Sequence, residues 1–400
     1  MSSPAPPGDH RPRQGPDENV SGALRRKLLI VSHPCVISVN QEVYRELQRR
    51  GWETTIVLPS RWRSEYSLKD MQPQVLEGMQ QSLRPVPVAL RGRPQRHFYL
   101  ANARAMAAEA RADVAFVEAE PFSVAATQWA HALNRLGVPF GVQCAENIDR
   151  RFPLPVRLMR SRVLREAAFV AARSDSAARL ARAWGAKGEV ALAPHAVPLW
   201  KDVPTAGARP FTVGYAGRLV ASKGLHDLLD AVRTLQAPVE LLLIGDGEQR
   251  QELEGQAIPG SRVRILDSLS HDEMASGYAQ LDVLVLPSHT TPTWKEQFGR
   301  VIVEALWCGV PVVGSDSGEI PWLIELTGGG LVFSEGDSEA LAARLRELRE
   351  EPLLRERLAQ SGRAAVERLF SVPAATDALE RLLVNAAAPR AGIAAPVAAR

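Results

Sequence analysis

Residues 281–316 read LDVLVLPSHTTPTWKEQFGRVIVEALWCGVPVVGSD, and they contain two apolar runs separated by a loop and an amphipathic segment. LDVLVLPS and VPVVGSD are typical of buried parallel strands, and FGRVIVEALWCG has the apolar spacing of a helix that ends at Gly309. A strand, a helix and a second strand in this order indicate a parallel sheet covered by helices. Two glutamates interrupt the pattern: Glu296 lies in the loop, and Glu304 lies among apolar helix residues.

The same alternation of strand and helix runs through the rest of the chain. Before residue 201 it includes KLLIVSHPC, NQEVYRELQRRG, ETTIVLPS, ADVAFVEAEP and AAFVAARS, and after residue 210 it restarts with FTVGYAGRLVASKGL and PVELLLIGDGE. This pattern predicts the α/β class, with two Rossmann-like, doubly wound parallel-sheet domains that face a central cleft. Small-molecule sites of such sheets lie outside the carboxyl ends of the strands, where this chain concentrates its unusual residues.

Length and composition favour two globular domains, since the chain has 400 residues, of which 46% are hydrophobic and 23% are charged. No apolar run approaches the roughly 20 residues that span a bilayer, and the N-terminus lacks the apolar core of a signal peptide. We therefore expect a cytoplasmic protein. The Pro-rich leader over residues 1–23 and the tail over residues 388–400 are expected to be disordered.

The charge is uneven along the chain, although the net charge is only +3. Residues 1–200 carry 28 Lys and Arg against 18 Asp and Glu, whereas residues 201–400 carry 20 against 27. The basic first half suits an anionic acceptor or the inner face of an anionic membrane, which the Arg-rich segments 91–104 and 150–166 would contact. Scattered, solvated arginines are the alternative. Nucleic acid is not expected as a partner, because the basic segments lack interleaved aromatic residues and the second half is acidic.

The loop GYAGRLVASKGL, after the first strand of the second domain, predicts an anion site. Gly217 lets the backbone approach a ligand, while Arg218 and Lys223 supply a forked and a compact cation beside a helix start. A diphosphate fits this arrangement, and a basic surface loop is the alternative. Gly245, in LLLIGDGE, would let a ring or a ribose approach the end of the next strand.

The glutamates of the opening stretch fit a sugar ligand. Glu304 would accept hydrogen bonds from two adjacent hydroxyls, and a buried Glu–Arg ion pair is the alternative. The unpaired backbone N–H groups at the helix start would meet another hydroxyl or a phosphate oxygen; they belong to Phe298, Gly299 and Arg300. Glu296 and Glu304 are disfavoured as the acid–base pair of a glycosidase. They are eight positions apart, which spans roughly 12 Å in a helix, whereas the carboxyl groups of such pairs lie roughly 5–9.5 Å apart.

With these motifs in this order, the chain resembles the retaining glycosyltransferases of family 4, which have the two-lobed GT-B architecture. The family's Glu-x7-Glu element matches Glu296 and Glu304. The motifs GRLVASKGL, LIGDGE, DVLVLPS and GVPVVGSDSGEIPWLI and the closing helices extend the match over residues 25–385. The resemblance implies an N-terminal Rossmann-like acceptor-binding domain over 24–200, a linker over 201–210, a C-terminal Rossmann-like nucleotide-sugar-binding domain over 211–370, and a helix over 371–387 that crosses back to the first domain.

The resemblance also assigns roles. It implies that Glu304 holds the ribose of a nucleotide-sugar and that Arg218 and Lys223 hold its diphosphate. Glu296 and the Phe298–Arg300 backbone would hold the transferred sugar. The catalytic residues implied are Arg218, Lys223 and Glu296, and the donor-binding residues are Gly217, Arg218, Lys223, Gly245, Glu296, Phe298, Gly299, Arg300 and Glu304.

Departures from the family pattern fall mainly in the first domain. SHPCVISVNQ stands where the family usually has a Gly-Gly pair, Glu118 or Glu120 stands near the position of a common His, and Trp322 replaces a common Glu. The acceptor-side candidates are Asn40, Glu120, Glu146 and Asn147. A capping or core polar role is the alternative for each of them, and Asn40 in particular is a good N-cap for the first helix.

The expected activity is a metal-independent, retaining transfer of a hexose-type sugar from a nucleoside-diphosphate sugar to a hydroxyl acceptor. That acceptor would be a glycan, a lipid-linked or a small molecule. No Asp-x-Asp or His cluster has metal-ligand spacing, so we expect neither a metal nor another cofactor. The alternatives are a nucleotide-sugar epimerase on the same fold and a catalytically silent nucleotide-sugar-binding protein. A NAD-dependent dehydrogenase is disfavoured because no G-x-G-x-x-G follows the first strand.

Overall fold

The computed structural model describes residues 26–63, 69–197, 199–204, 207, 209–235 and 238–388. The predicted leader lies outside these residues, as does the predicted tail apart from Ala388. Within the described part of the chain, no helix is both long and apolar enough to cross a membrane.

The first domain contains most of the chain before residue 197. Its elements are β1 (Lys27–Ser32), α1 (Glu42–Arg49), β2 (Glu53–Pro59), β3 (Trp62–Arg63), β4 (Asp70–Met71), β5 (Leu83–Val86), β6 (Val88–Ala89), β7 (Phe98–Tyr99), α2 (Ala103–Ala110), β8 (Val114–Glu118), α3 (Val124–Leu136), β9 (Phe140–Cys144), α4 (Leu154–Glu166), β10 (Phe169–Ala172), α5 (Asp175–Ala183) and β11 (Glu189–Leu192). Among the described residues, the main sheet has seven parallel strands in the order β11-β10-β9-β8-β1-β2-β5. Helices α2–α5 cover one face of this sheet, around the fully buried Trp129.

The second domain repeats the plan with a smaller sheet. Its elements are β12 (Thr212–Ala216), α6 (Leu225–Thr234), β13 (Glu240–Ile244), α7 (Arg250–Glu254), β14 (Arg262–Leu266), α8 (His271–Tyr278), β15 (Val283–Leu286), α9 (Arg300–Trp307), β16 (Val312–Ser315), α10 (Ile320–Thr327), β17 (Gly330–Phe333), α11 (Ser338–Glu350) and α12 (Pro352–Phe370). Its strands are parallel in the order β14-β13-β12-β15-β16-β17. The two parallel-sheet domains give the GT-B fold predicted from the sequence.

The last helix, α13 (Val372–Ala387), belongs to the first domain by its contacts. It packs beside α1 on the sheet face opposite α2–α5, where Leu382 and Leu383 are buried. Glu380 on α13 accepts a hydrogen bond from Trp52 Nε1 at 2.8 Å and pairs with Arg50 at 2.9 Å. The chain therefore crosses between the domains twice.

Two local features differ from the sequence-based expectations. The domain boundary lies before residue 200, because Val197, Leu199 and Trp200 already pack into the core of the second domain. Asn40 does not cap the first helix: its side-chain amide donates to the carbonyl of Pro34 at 2.8 Å, and a 3-10 turn over Ser38–Gln41 precedes α1. The predicted cap was wrong because Asn40 lies within the 3-10 turn and Gln41 occupies the N-cap position of α1.

Each sheet reverses its strand order next to its first strand. In the first sheet the reversal lies between β1 and β8, and in the second sheet it lies between β12 and β15. The loops that leave these strands diverge to opposite faces of the sheet, and a crevice opens between them. The predicted site residues lie near these two crevices.

Candidate active site in the interdomain cleft

Two glycine-containing loops form one wall of the second-domain crevice. Gly217 follows β12 with φ of 148°, and Gly245 follows β13 with φ of 146°. A Cβ at Gly245 would lie 1.9 Å from the carbonyl oxygen of Gly217, so the two backbones pack directly on each other. Glycine at 245 is therefore required by contact between the loops, in addition to any approach of a ligand.

A cavity of about 640 Å³ opens beside these loops. We call it the second-domain cavity; it is lined by Ala216, Gly217, Arg218, Val220, Ile244, Gly245, Asp246, Gly247, Ser268, Leu269, Met274, Val301 and Glu304. Four of the predicted donor residues thus face one space: Gly217, Arg218, Gly245 and Glu304. The remaining lining is mostly backbone and apolar side chains, which suits a flat, partly apolar ligand with an anionic end.

Lys223 and Glu296 face each other across the strand-order reversal. Lys223 ends a 3-10 turn after β12, and its Nζ lies 2.6 Å from Glu296 Oε2. The hydroxyl of Ser288 donates to the same carboxylate oxygen at 3.2 Å, and the Trp294 ring centre lies 4.5 Å from the Lys223 ammonium. This arrangement holds a cation and an anion next to the start of α9, with both side chains mostly buried.

Gly299 is the N-cap of helix α9, and its φ of 69° strongly favours glycine. Glu304 lies within this helix and is only 6% exposed. Its carboxylate accepts hydrogen bonds from Arg300 Nε at 2.7 Å and from the Tyr278 hydroxyl at 2.8 Å. The Glu–Arg ion pair considered as the alternative is therefore present, and the same carboxylate also borders the second-domain cavity. Burial, reinforced by Glu304, raises the pKa of Tyr278 well above its ordinary value, so Tyr278 remains a donor.

The ends of β1 and β8 carry a buried polar cluster around Glu118. The Glu118 carboxylate accepts from Ser32 at 2.7 Å, from Tyr44 at 2.8 Å and from Arg173 at 3.0 Å. All its partners are therefore supplied within the first domain, which makes Glu118 a structural anchor for the loops after β1 and β10.

Glu120 differs from Glu118 in its hydrogen bonding and in its pKa. Its Oε1 accepts the backbone N–H of Ala145 at 2.7 Å, and its buried Oε2 has no hydrogen-bond partner among the described residues. Burial raises the pKa of Glu120 to about 8, and the neighbouring Glu146 adds to this, whereas the Ala145 hydrogen bond opposes it. Glu120 is therefore mostly a neutral acid at pH 7.

A smaller cavity of about 280 Å³ lies between the domains. Asn40, Phe298 and Arg300 line it together with Glu118, Arg173 and His195. Burial lowers the pKa of His195 well below its ordinary value, and Arg173 and Arg300 lower it further, so His195 is a neutral imidazole. The interdomain cavity thus joins one acceptor-side candidate to two donor-side candidates.

The other two acceptor-side candidates follow β9. Glu146 is buried and binds Arg150 at 2.8 Å, and Asn147 donates across the cleft to the carbonyl oxygen of Glu296 at 2.8 Å. The structure therefore places Asn147 against the loop that carries Glu296. Within the part of the chain that the structure describes, no group of three or more His, Cys, Asp or Glu side chains is arranged to hold a metal ion.

Comparison with known families agrees with this arrangement. The model of the group 1 glycosyl transferases matches residues 198–365, and the model of the glycosyl transferase 4-like domain matches residues 36–195. The two matches meet where the structure places the domain boundary. The chain belongs to glycosyltransferase family 4.

Curated relatives of this glycosyltransferase include enzymes of surface polysaccharide synthesis. The lipopolysaccharide core biosynthesis glycosyltransferase LpsE of Rhizobium meliloti is 35% identical over 170 residues, which is 42% of this chain and 48% of LpsE. The capsular polysaccharide biosynthesis glycosyltransferase CapM of Staphylococcus aureus is 29% identical over 180 residues, or 43% of this chain and 45% of CapM. The matched region thus spans about half the length of these relatives.

Solved structures share the fold of this glycosyltransferase over nearly its whole length. The HepE protein of Anabaena in complex with UDP has a TM-score of 0.66 at 19% identity, covering 90% of this chain and 99% of that chain. Sucrose-phosphate synthase from Thermosynechococcus elongatus has a TM-score of 0.65 at 20% identity, covering 90% and 98%. At these identities the similarity establishes the GT-B fold.

Sequence reasoning missed several residues that the glycosyltransferase fold brings to the cleft. They are Arg150, Arg173, His195 and Glu319. Arg173 directly follows β10, so the rule that polar residues after parallel strands face the site would have found it. Glu319 stands between a strand and the Pro-containing start of α10, and its contact with the first domain has no signal in the local sequence.

Proposed function

We propose that this glycosyltransferase moves a hexose-type sugar from a nucleoside-diphosphate sugar to a hydroxyl acceptor, with retention of the anomeric configuration. The observation that carries the proposal is that two cations and two acids lie on the second-domain loops and helix that meet at the strand-order reversal: Arg218 and Glu304 line the second-domain cavity, and Lys223 pairs with Glu296. Cations suit a diphosphate, and carboxylates suit the hydroxyls of the ribose and of the sugar.

The donor would extend from the second-domain cavity toward the cleft. Ser268, Leu269 and Met274 provide a mainly apolar place for the base, and Glu304 would meet the ribose hydroxyls with the lone pairs that Arg300 and Tyr278 leave free. The diphosphate would then lie near Arg218, Lys223 and the first N–H groups of α9. A nucleoside-diphosphate donor is supported by the structures of HepE, which are complexes with UDP and with UDP-glucose.

The residues around the diphosphate would promote departure of the leaving group. The bond between the anomeric carbon and the phosphate oxygen breaks, and the acceptor oxygen bonds to the same face of that carbon. The acceptor proton passes to the departing phosphate oxygen, so no protein base is required. Arg218, Lys223 and the helix start would stabilise the charge as it develops on the diphosphate. Glu296 is held by Lys223 and Ser288, which fits a positioning role toward the sugar.

The acceptor would bind from the first domain. Glu120 is mostly neutral at pH 7 and can donate a hydrogen bond, and the unpartnered amide oxygen of Asn147 can accept one. The named relatives act in lipopolysaccharide core and capsular polysaccharide synthesis, which supports a glycan or lipid-linked acceptor here.

A radiolabelled nucleotide-sugar panel tests the proposal. Without an acceptor, we expect slow release of nucleoside diphosphate and free sugar from one donor, and the first anomer seen by NMR should keep the donor configuration. Inversion would contradict the retaining mechanism. An altered sugar that stays attached to its nucleotide would indicate an epimerase, and thermal stabilisation by a donor without any turnover would indicate a silent binding protein.

We predict that the activity survives chelation. Arg218 and Lys223 would supply the positive charge at the diphosphate that Mg²⁺ supplies in other enzymes of phosphate chemistry. Turnover measured with excess EDTA should stay within about twofold of turnover in added Mg²⁺. A twofold difference is small compared with the effect of removing a catalytic metal ion. An absolute Mg²⁺ requirement would disprove metal independence.

We also propose that α4 contacts an anionic membrane surface. Leu154 and Leu158 lie one helical turn apart and are 63% and 59% exposed. Exposed arginines surround them: Arg151, Arg157, Arg162 and Arg165. Two exposed leucines among arginines suit the boundary between anionic headgroups and acyl chains.

Vesicle co-sedimentation checks the membrane contact. The double variant Leu154→Asp/Leu158→Asp should lose most binding to vesicles rich in phosphatidylglycerol, because it adds negative charge and removes apolar area. Leu353→Asp is the matched control, since Leu353 is 82% exposed on the second domain. Equal binding of the double variant and the wild type would rule out this surface.

A further inference from the structure

Hydrogen bonds from the first domain end on the loop that carries Glu296. The amide nitrogen of Asn147 lies 2.8 Å from the carbonyl oxygen of Glu296 and 3.3 Å from a carboxylate oxygen of Glu319. The guanidinium of Arg150 donates to the carbonyl oxygen of Thr293 at 2.9 Å. These contacts join the segment after β9 to the segments before α9 and before α10.

The orientation of the Asn147 amide is fixed by chemistry. Both partners across the cleft are acceptors, so the nitrogen, and not the oxygen, must face them. Both residues are buried, since Asn147 is 4% exposed and Glu319 is 1% exposed. A buried carboxylate and a buried amide that meet between domains form a specific contact, because each satisfies the other where water is excluded.

The segment that presents Asn147 is itself held in place. The Glu146 carboxylate accepts the backbone N–H groups of Asn147 at 3.2 Å and Ile148 at 3.1 Å, and it binds Arg150 Nε at 2.8 Å. Glu146 thereby ties together the two first-domain residues that reach across the cleft. Glu146 therefore fixes the positions of Asn147 and Arg150.

In the second domain, the segment before α10 packs closely against the backbone of Glu296. Its carbonyl oxygen also accepts the N–H of Glu319 at 2.9 Å. A Cβ at Gly318 would lie 2.1 Å from this oxygen, and the φ of Gly318 is 60°, so the close approach requires glycine. The Glu296 side chain meanwhile binds Lys223. The Glu296 peptide is thus fixed by its own domain on one side and by Asn147 on the other.

We propose that Asn147 is a positioning residue that sets the Glu296 peptide for the transferred sugar, with Glu319 as its second partner, so that the first domain controls the donor site of the second. The proposal rests on the proposed role of Glu296 toward that sugar. Asn147 acts through Glu296 and Glu319, and the nucleotide end of the donor lies beyond its reach, in the second-domain cavity. Changes at Asn147 should therefore alter sugar positioning and leave nucleotide binding intact.

The sharpest variant is Asn147→Asp, which keeps the shape and replaces the donor nitrogen by an anionic oxygen. That oxygen would face the Glu296 carbonyl and the Glu319 carboxylate, and both contacts would become repulsive. We expect kcat to fall about 10- to 100-fold, as for the loss of a charge-assisted contact, and to fall further than in Asn147→Ala. The affinity for the nucleoside diphosphate alone should stay within about twofold, whereas the extra affinity contributed by the sugar should be lost.

A compensating change separates positioning from simple damage. In Asn147→Asp/Glu319→Gln the amide of residue 319 can donate to the new carboxylate, so the contact between residues 147 and 319 re-forms with its polarity reversed, while the carboxylate still faces the carbonyl oxygen of Glu296. We expect this double variant to be more active than Asn147→Asp and less active than the wild type, and the recovery measures the coupling between residues 147 and 319. Asn385→Asp is the matched control, because Asn385 also donates to a glutamate, Glu189 at 3.1 Å, but is exposed and far along α13.

The outcomes distinguish this inference from the proposed function. If the wild type binds and turns over a nucleotide-sugar and Asn147→Asp leaves both sugar-dependent affinity and kcat unchanged, the positioning role is wrong while the proposed function stands. A double variant no better than Asn147→Asp would overturn the part assigned to Glu319. If the wild type binds no nucleotide-sugar, the proposed function fails. Small-angle scattering then tests the contact by itself, since Asn147→Asp should still give a larger radius of gyration than Asn385→Asp, and equal radii would overturn it.

Discussion

Replacing Lys223 by alanine is expected to lower kcat by about 10²- to 10³-fold, the range measured when one buried donor to a developing negative charge is removed. Lys223 lies 2.6 Å from Glu296 and beside the Trp294 ring, in a mostly buried setting where its charge acts strongly on a diphosphate. Among the described residues, the change also leaves the Glu296 carboxylate with Ser288 as its one side-chain hydrogen-bond partner. Both effects act at the step in which the leaving group departs.

Steady-state kinetics with the identified donor check this expectation. Lys223→Arg should retain more activity than Lys223→Ala, because it keeps the charge but changes its shape and reach. Lys187→Ala is the control, since Lys187 is exposed on the first domain. A Lys223→Ala enzyme with kcat within about threefold of the wild type would remove Lys223 from the proposed chemistry, given the expected range.

Glu304→Ala is expected to weaken binding of the donor nucleotide about 10- to 100-fold. Hydrogen bonds to a charged acceptor contribute roughly 1.5–3 kcal/mol each, and the ribose would donate one or two of them. The variant should lose its preference for a ribonucleotide over the 2′-deoxyribonucleotide, which calorimetry measures directly. An unchanged ratio of these two affinities would exclude the ribose role.

The partners of Glu304 provide the control for that experiment. Tyr278→Phe removes one hydrogen bond to the Glu304 carboxylate and leaves the carboxylate itself in place. We expect Tyr278→Phe to keep the preference for ribose, with a moderate loss of stability for the buried hydrogen bond, on the order of 1 kcal/mol. Loss of the preference in both variants would mean that Glu304 acts mainly as the structural partner of Arg300 and Tyr278.

Much of the second-domain site follows from the sequence because its residues are local to strand ends. Arg218 and Lys223 follow β12, Gly245 follows β13, and Glu296 lies between β15 and α9. A parallel sheet brings the carboxyl ends of neighbouring strands together, so correct strands already imply that these loops converge. The sequence also left open the ion pair of Glu304, and the structure contains it beside the cavity.

The first-domain residues of the candidate site and the contacts between the domains were harder to predict from the sequence. Asn147 has no sequence neighbour in the second domain, and its approach to Glu296 and Glu319 depends on how two separately folded sheets are placed. Asn40 shows the limit of local rules, because a residue type that favours the N-cap lies here inside the 3-10 turn that precedes α1. The domain boundary moved for a similar reason: Val197 is apolar, and only the packing reveals which core it joins.

The position of α13 has a consequence for making chimeras and for synthesis on the ribosome. The first domain is discontinuous, since residues 26–197 are completed by Val372–Ala387. Exchanging this domain for that of another family member therefore needs two splice points, and a single exchange at the linker would pair α13 with a foreign α1. During translation, the apolar surface that receives Leu382 and Leu383 stays uncovered until the whole second domain has emerged, which makes it a natural binding surface for chaperones on the nascent chain.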